Sequence, residues 1–188
     1  MSPRAASKPP RGAPPRTSTR RTEGAGGEPE AIAGVPDEVR REAIYLHPGK
    51  VFSSSSPCVV TTILGSCVAI VLWDEAAGVG GLNHYLLPLW ARVHEDTLRF
   101  GNVAFERLLD DVLARGAVRS RLRAKVFGGA CLLASEERAH HLGAKNVNVA
   151  RSLLAAARIP IVAEDVGGRR GRKLIVHTDT GDAWVKLL

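Results

Sequence analysis

The chain has 188 residues, 45% of them hydrophobic and 24% charged, which is the composition of one ordinary globular domain with a tail. Its formal charge of +7 makes any polyanion a conceivable partner. Only 5% of the residues are aromatic, and no helix-turn-helix, zinc-finger or RNA-binding signature is present, so nucleic-acid binding is not expected.

Residues 1–36 are rich in Pro, Gly, Ala, Ser, Thr and Arg and contain almost no large apolar side chains. Such a segment buries too little surface to offset the entropy lost on ordering, so we predict a disordered tail followed by one domain over residues 37–188. The pair Arg20 and Arg21 is not followed by the apolar stretch of an export signal. No segment has transmembrane length, and the three cysteines form no pairing pattern, so we expect a cytoplasmic protein without membrane insertion.

In chain order, short apolar runs rich in β-branched residues alternate with turn signals, and two segments show helical periodicity. Residues 102–115 carry apolar side chains at helical spacing and end before Gly116, whereas a second helix, 147–158, is stopped by Pro160. Strands outnumber helices and hairpins recur, which predicts an α+β fold with mostly antiparallel sheet. The predicted strands are 43–46, 59–63, 68–73, 79–82, 123–127, 161–164, 173–177 and 183–187.

One thiol and one imidazole stand out because a predicted hairpin brings them together. Cys67 precedes the strand 68–73, and His84 follows the returning strand 79–82. A nearby base raises the thiolate fraction of a cysteine, and Gly65 and Ser66 suit a tight turn whose N–H groups can receive an oxyanion. From spacing alone, Cys67 is either a catalytic nucleophile or simply a buried cysteine.

The glycine pairs of the chain lie in no complete phosphate-binding motif. We interpret Gly128 and Gly129 either as a wall of a substrate groove or as a plain turn. The histidines and cysteines show no CxxC or HxxxH spacing, so neither a metal nor an organic cofactor is expected.

Several ordered motifs in this chain resemble the CheD family, the chemoreceptor glutamine deamidases. Together they cover the chain from about residue 44 to the C-terminus. The motifs are LGSCVA (64–69), GGLNH (80–84), LLP (86–88), RFGN (99–102), FGGA (127–130), GAKNV (143–147), AEDVGG (163–168) and GRK (171–173).

The resemblance implies that Cys67 is the catalytic cysteine, that His84 is its histidine, and that Thr61 completes the site by orienting His84. It further implies two packed sheets with helices outside them. Small departures from the family pattern occur at Lys145, Cys131 and Arg169, and they concern substrate preference rather than chemistry.

The implied activity is conversion of glutamine side chains on methyl-accepting chemotaxis receptors to glutamate through a Cys67 thioester. Glutamate methyl ester hydrolysis and a role in chemotactic adaptation are also implied, and we expect a monomer. A second hypothesis is a binding regulator that docks to a CheC-like phosphatase and to receptors. The basic segment 169–173 either guides acidic receptor helices to the protein or, at Arg172, serves the fold.

Overall fold

The computed structural model describes residues 19–22, 43–89, 97–132 and 141–188. Along these ranges, six strands precede the first helix, one strand separates the two helices and three strands follow the second, with a short 3-10 turn at Arg119–Arg121 before β7. The elements are β1 (Thr19–Thr22), β2 (Ile44–Tyr45), β3 (Lys50–Ser54), β4 (Val59–Leu64), β5 (Val68–Asp74), β6 (Val79–His84), α1 (Gly101–Ala114), β7 (Arg123–Gly128), α2 (Leu142–Ala156), β8 (Ile161–Val166), β9 (Arg172–His177) and β10 (Ala183–Leu187).

The strands form two five-stranded sheets. The first has the order β1-β10-β9-β4-β2 and the second the order β3-β6-β5-β7-β8. Pairing is antiparallel except between β1 and β10, β2 and β4, and β7 and β8. The predicted α+β sandwich with mostly antiparallel sheets is confirmed.

Strand β5 lies at the centre of the molecule, with all seven of its residues buried. Its even-numbered side chains, such as Ile70, pack with α1 and α2, whereas its odd-numbered ones, such as Val71, pack against the first sheet. A strand covered on both faces has no polar side, which explains the continuous apolar run from Val68 to Trp73. The layers are therefore two helices, the second sheet and the first sheet.

Two elements differ from the sequence-based prediction. Strand β3 was not predicted, because its serine-rich sequence is typical of turns, yet it pairs with β6 over its whole length. Helix α2 begins at Leu142, before the predicted start at residue 147. The His141 imidazole caps it by accepting a hydrogen bond of 3.1 Å from the Ala144 N–H, a capping role that we did not foresee.

The predicted disordered tail needs one correction. Residues Thr19–Thr22 form β1, which pairs in parallel with β10 and so gains backbone hydrogen bonds that composition alone does not reveal. The prediction is wrong for these four residues. The rest of residues 1–36 lies outside the described residues, and the domain boundary at 37 stays a prediction.

Within the basic segment 169–173, Arg172 serves the fold. It is fully buried on β9, and its guanidinium donates to the carboxylate and carbonyl of Asp165 and to the carbonyl of Gly167. A buried guanidinium held by several acceptors ties the end of β8 to the start of β9. Arg170 is exposed and donates to the carbonyl of Leu188 at 2.8 Å.

In the described part of the chain, no helix combines the length and the apolar character that crossing a bilayer requires.

Deleting residues 1–36 tests the domain boundary. We expect the shortened protein to keep one cooperative thermal transition, with a Tm lowered by less than about 5 °C, because among the described residues it loses only β1, an edge strand of the first sheet. Circular dichroism melting of both proteins measures this. Loss of the cooperative transition would place part of the folding unit within the first 36 residues.

Candidate active site

Cys67 lies in the turn between β4 and β5 and is half-buried. Its carbonyl accepts a hydrogen bond of 2.7 Å from the Gly129 N–H, just beyond the end of β7. Directly after it, Val68 exchanges two backbone hydrogen bonds, of 3.1 and 3.0 Å, with Tyr85. The nucleophile turn is therefore held by backbone contacts on both sides.

The same pairing places His84 near Cys67. Because Val68 is opposite Tyr85 in an antiparallel bridge, His84 is opposite Ala69, and Cys67 is its diagonal neighbour on the same face of the sheet. Diagonal neighbours have Cα atoms about 7–8 Å apart, within reach of a thiol and an imidazole. The β5–β6 pairing therefore makes Cys67 and His84 diagonal neighbours, and their action as a catalytic pair stays a prediction.

The β5–β6 ladder is interrupted beside His84. Its regular register ends at the pair Val71 and Leu82, and the Ile70 N–H donates instead to the side-chain oxygen of Asn83 at 2.8 Å. An amide side chain that replaces a backbone acceptor leaves the strands less tightly joined at this point.

The imidazole of His84 is oriented by Thr62. The Thr62 hydroxyl lies 2.8 Å from His84 Nδ1 and donates to the Leu46 carbonyl at 2.8 Å. Its single proton is used on that carbonyl, so the hydroxyl accepts from a protonated Nδ1. The Nε2 atom then carries the lone pair, and it is buried without a hydrogen-bond partner among the described residues. This tautomer is the one a general base at Nε2 requires.

Thr61, to which we assigned this orienting role, has its hydroxyl engaged elsewhere, so its part in the site stays a prediction. Along β4 the side chains of Val60, Thr62 and Leu64 face the inter-sheet core, so Thr61 points to the other face. Its hydroxyl donates to the Leu174 carbonyl of the neighbouring strand at 3.0 Å. The in–out alternation of Val60 and Leu64 is the sequence signal that identifies Thr62.

Burial determines the resting charges of the pair. Desolvation lowers the pKa of His84 to about 4, against a smaller opposing effect of the Leu46 carbonyl. Desolvation also raises the pKa of Cys67, against a smaller opposing effect of its own backbone N–H. The resting pair at neutral pH is therefore a thiol and a neutral imidazole, not the thiolate that we expected His84 to support.

The glycines of the predicted site form close backbone contacts at the Cys67 turn. Gly128 and Gly129 have φ angles of +109° and +69°, and a Cβ on Gly128 would lie 2.2 Å from the Cys67 carbonyl oxygen. The Gly65 carbonyl accepts from the Ala130 N–H at 2.8 Å. Gly128 and Gly129 therefore hold the Cys67 turn in place through their backbone, a role that neither of the two interpretations from sequence included.

Asn146 was missed by the sequence analysis. It is fully buried on α2, and its Nδ2 donates to the carbonyls of Ser66 at 3.0 Å and of Leu86 at 2.9 Å. The Asn146 amide thus joins Ser66, the residue before Cys67, to Leu86, two residues after the end of the strand that carries His84. Its helical spacing with the buried Ala150 and Leu154 is a signal that would have placed it on the inner face of α2.

One cleft on the described surface, of about 400 Å³, lies beside Gly129, whose N–H bonds the Cys67 carbonyl, but neither Cys67 nor His84 lines it. Gly129, Val147 and Cys131 form apolar walls, and Arg169 adds positive charge. Another cleft, of about 650 Å³, lies at the far end of β5 around Trp73. Trp73 is six residues from Cys67, about 20 Å along a strand. The smaller cleft is therefore the one beside the candidate site.

The burial of His84 predicts a pH-dependent stability. Unfolded imidazole binds a proton near pH 6.5, whereas folded His84 binds one only near pH 4. The free energy of unfolding should therefore fall as pH drops from 6.5 to 4, by up to about 1.4 kcal/mol per pH unit from this group. Urea unfolding of the wild type and of His84→Gln across this range measures the effect.

The variant should lack this part of the slope, and the control His47→Gln, at an exposed site, should keep it. Equal slopes in the wild type and His84→Gln would contradict a neutral buried imidazole.

Comparison with known proteins supports one family. Residues 86–187 match the CheD family, described as chemotactic sensory transduction. A protein of Anaeromyxobacter dehalogenans named "Probable chemoreceptor glutamine deamidase CheD 1" is 47% identical over 170 residues, which are 89% of this chain and 99% of that protein. A protein of Trichlorobacter lovleyi named "Probable chemoreceptor glutamine deamidase CheD" is 48% identical over 137 residues, 73% of this chain and 85% of that protein. The chain belongs to the CheD family.

Proposed function

We propose that this protein is a protein-glutamine deamidase that converts glutamine side chains of methyl-accepting chemotaxis receptors to glutamate. The names of the relatives support the reaction and the substrate class. The observation that carries the mechanism is the Nε2 atom of His84, which has no hydrogen-bond partner among the described residues and belongs to a residue on the same face of the sheet as Cys67.

In the first half of the reaction, the Cys67 sulfur attacks the carboxamide carbon while His84 Nε2 takes the thiol proton. A C–S bond forms, and the carbonyl electrons move to oxygen. His84 then gives its proton to the amide nitrogen, the C–N bond breaks, and ammonia leaves a thioester on Cys67. A base with a pKa near 4 is weak, but it returns the proton readily to the leaving nitrogen.

In the second half, water attacks the thioester and His84 Nε2 takes a water proton. The C–S bond breaks, the proton passes to the departing sulfur, and the glutamate product is released with the thiol restored. The backbone N–H groups of the turn that contains Gly65, Ser66 and Cys67 are the proposed donors to the oxyanion in both halves. The chemistry requires neither a metal nor an organic cofactor.

A glutamate methyl ester can follow the same route, with methanol as the leaving group in place of ammonia. The substrate side chain is presented by a receptor helix, for which the cleft beside Gly129 offers apolar walls and the exposed cation Arg169. Positive charge favours encounter with an acidic helix surface. A role in adaptation and the binding of a CheC-like phosphatase stay predictions.

Replacing the nucleophile tests the proposal. Cys67→Ala should abolish glutamine conversion in a helical cytoplasmic receptor fragment, as measured by peptide mass spectrometry, because it removes the sulfur that forms the proposed thioester. The control Cys58→Ala should keep full activity, because this half-buried cysteine directly precedes β4, whereas Cys67 follows the other end of that strand. Conversion of the same glutamines by the Cys67 variant would refute the assignment.

The two threonines of β4 provide a matched pair. Thr62→Val removes the hydroxyl that orients His84, so kcat should fall by about 5-fold, the equivalent of one neutral hydrogen bond of roughly 1 kcal/mol. Thr61→Val should leave kcat unchanged, because that hydroxyl bonds only a neighbouring strand. The reverse order of effects in receptor deamidation assays would restore Thr61 to the site.

A further inference from the structure

The peptide group between Ser66 and Cys67 is held by its carbonyl. Asn146 Nδ2 donates to the Ser66 oxygen at 3.0 Å from a side chain that is fully buried. A peptide unit is planar and trans, so its C=O and N–H point in opposite directions. Holding the Ser66 carbonyl therefore sets the direction of the Cys67 N–H.

That N–H is placed to act on the reacting atoms. Among the described residues it donates to no backbone carbonyl. It lies three covalent bonds from Sγ in the same residue, and it opposes the rise that burial causes in the pKa of the Cys67 thiol. A donor next to the attacking sulfur is where the carbonyl oxygen of the substrate becomes an oxyanion.

Asn146 is itself firmly held. Both Nδ2 protons are used on carbonyls, those of Ser66 and Leu86, so the orientation of its amide follows from the acceptors. The Tyr85 hydroxyl donates to the Asn146 carbonyl at 2.6 Å. Ser66 precedes the nucleophile and Leu86 follows the histidine strand, so one rigid amide relates the two halves of the site.

We propose that Asn146 is a positioning residue that aims the Cys67 N–H at the oxyanion of the tetrahedral intermediate. This inference rests on the proposed acyl-transfer function and adds to it a residue of α2 that touches no reacting atom. Loss of one oxyanion donor in other enzymes slows turnover by about 10²–10³-fold. A donor that is present but misdirected should cost on the order of 10- to 100-fold.

Two small reagents separate this role from a general structural one. Acylation of Cys67 by p-nitrophenyl acetate passes through a tetrahedral oxyanion, whereas alkylation by iodoacetamide is a displacement that forms none. Asn146→Asp keeps the size of the side chain but cannot donate in its ionised form, and Asn146→Ser keeps a single shorter donor. The control Leu154→Ala is a cavity variant about two turns further along α2, in the helix-facing core.

The full-length variants are compared at pH 8.5, and modification of Cys67 is quantified by peptide mapping. We expect acylation to slow by on the order of 10- to 100-fold in Asn146→Asp and by less in Asn146→Ser, with alkylation unchanged within about twofold. Leu154→Ala should keep the wild-type ratio of the two rates even if its Tm falls. If Asn146→Asp does not fold, the Asn146→Ser ratio decides.

Equal acylation rates in the wild type and the Asn146 variants, or a parallel fall in acylation and alkylation, would overturn the inference. Receptor deamidation is measured in the same samples. One outcome would refute the proposed function and leave the positioning role standing. In it, Cys67 is acylated faster in the wild type than in the Asn146 variants, but the wild type converts no receptor glutamine.

Discussion

The candidate site depends on a backbone-to-backbone contact that only glycine permits. A Cβ on Gly128 would lie 2.2 Å from the Cys67 carbonyl oxygen, and a Cβ on Gly143 would lie 2.4 Å from the Gly129 carbonyl oxygen. Distances this short cannot be relieved by rotating a side chain, because the opposing atoms are backbone. The end of β7 therefore lies against the nucleophile turn, and the start of α2 lies against the end of β7. Asn146 reaches Ser66 because α2 lies this close.

Burial between the sheets accounts for the chemistry of the pair. His84 is almost fully buried with a hydrogen bond at Nδ1 and, among the described residues, none at Nε2, so it is neutral and holds its lone pair on one defined atom. Burial also raises the pKa of the half-buried Cys67 thiol, which stays protonated. Because neither group is charged, the resting pair avoids the cost of a buried ion pair.

The sequence was most informative where structure is local. The apolar run of β5, the amphipathic α1 and the β5–β6 hairpin all follow from short-range patterns, and the hairpin brings Cys67 and His84 together. Strand β3 could not be predicted from its serine-rich sequence, because it is specified by its pairing with β6 rather than by its own propensity. The first turn of α2 was not predicted because it contains Gly143. Glycine is a poor helix former, but close packing requires it here. The partners of Asn146 lie 80 and 60 residues away, beyond the reach of any local pattern.

In the proposed mechanism the Cys67 sulfur forms a covalent acyl intermediate with the substrate glutamine. To detect it, a reaction with a receptor fragment is quenched in acid during turnover, and the Cys67 peptide is mapped by mass spectrometry. We expect a receptor peptide joined to Cys67 through its glutamine side chain with loss of ammonia, and release of this adduct by hydroxylamine. Glutamine conversion with no adduct on Cys67 at any quench time, under conditions that stabilise a thioester, would contradict the mechanism.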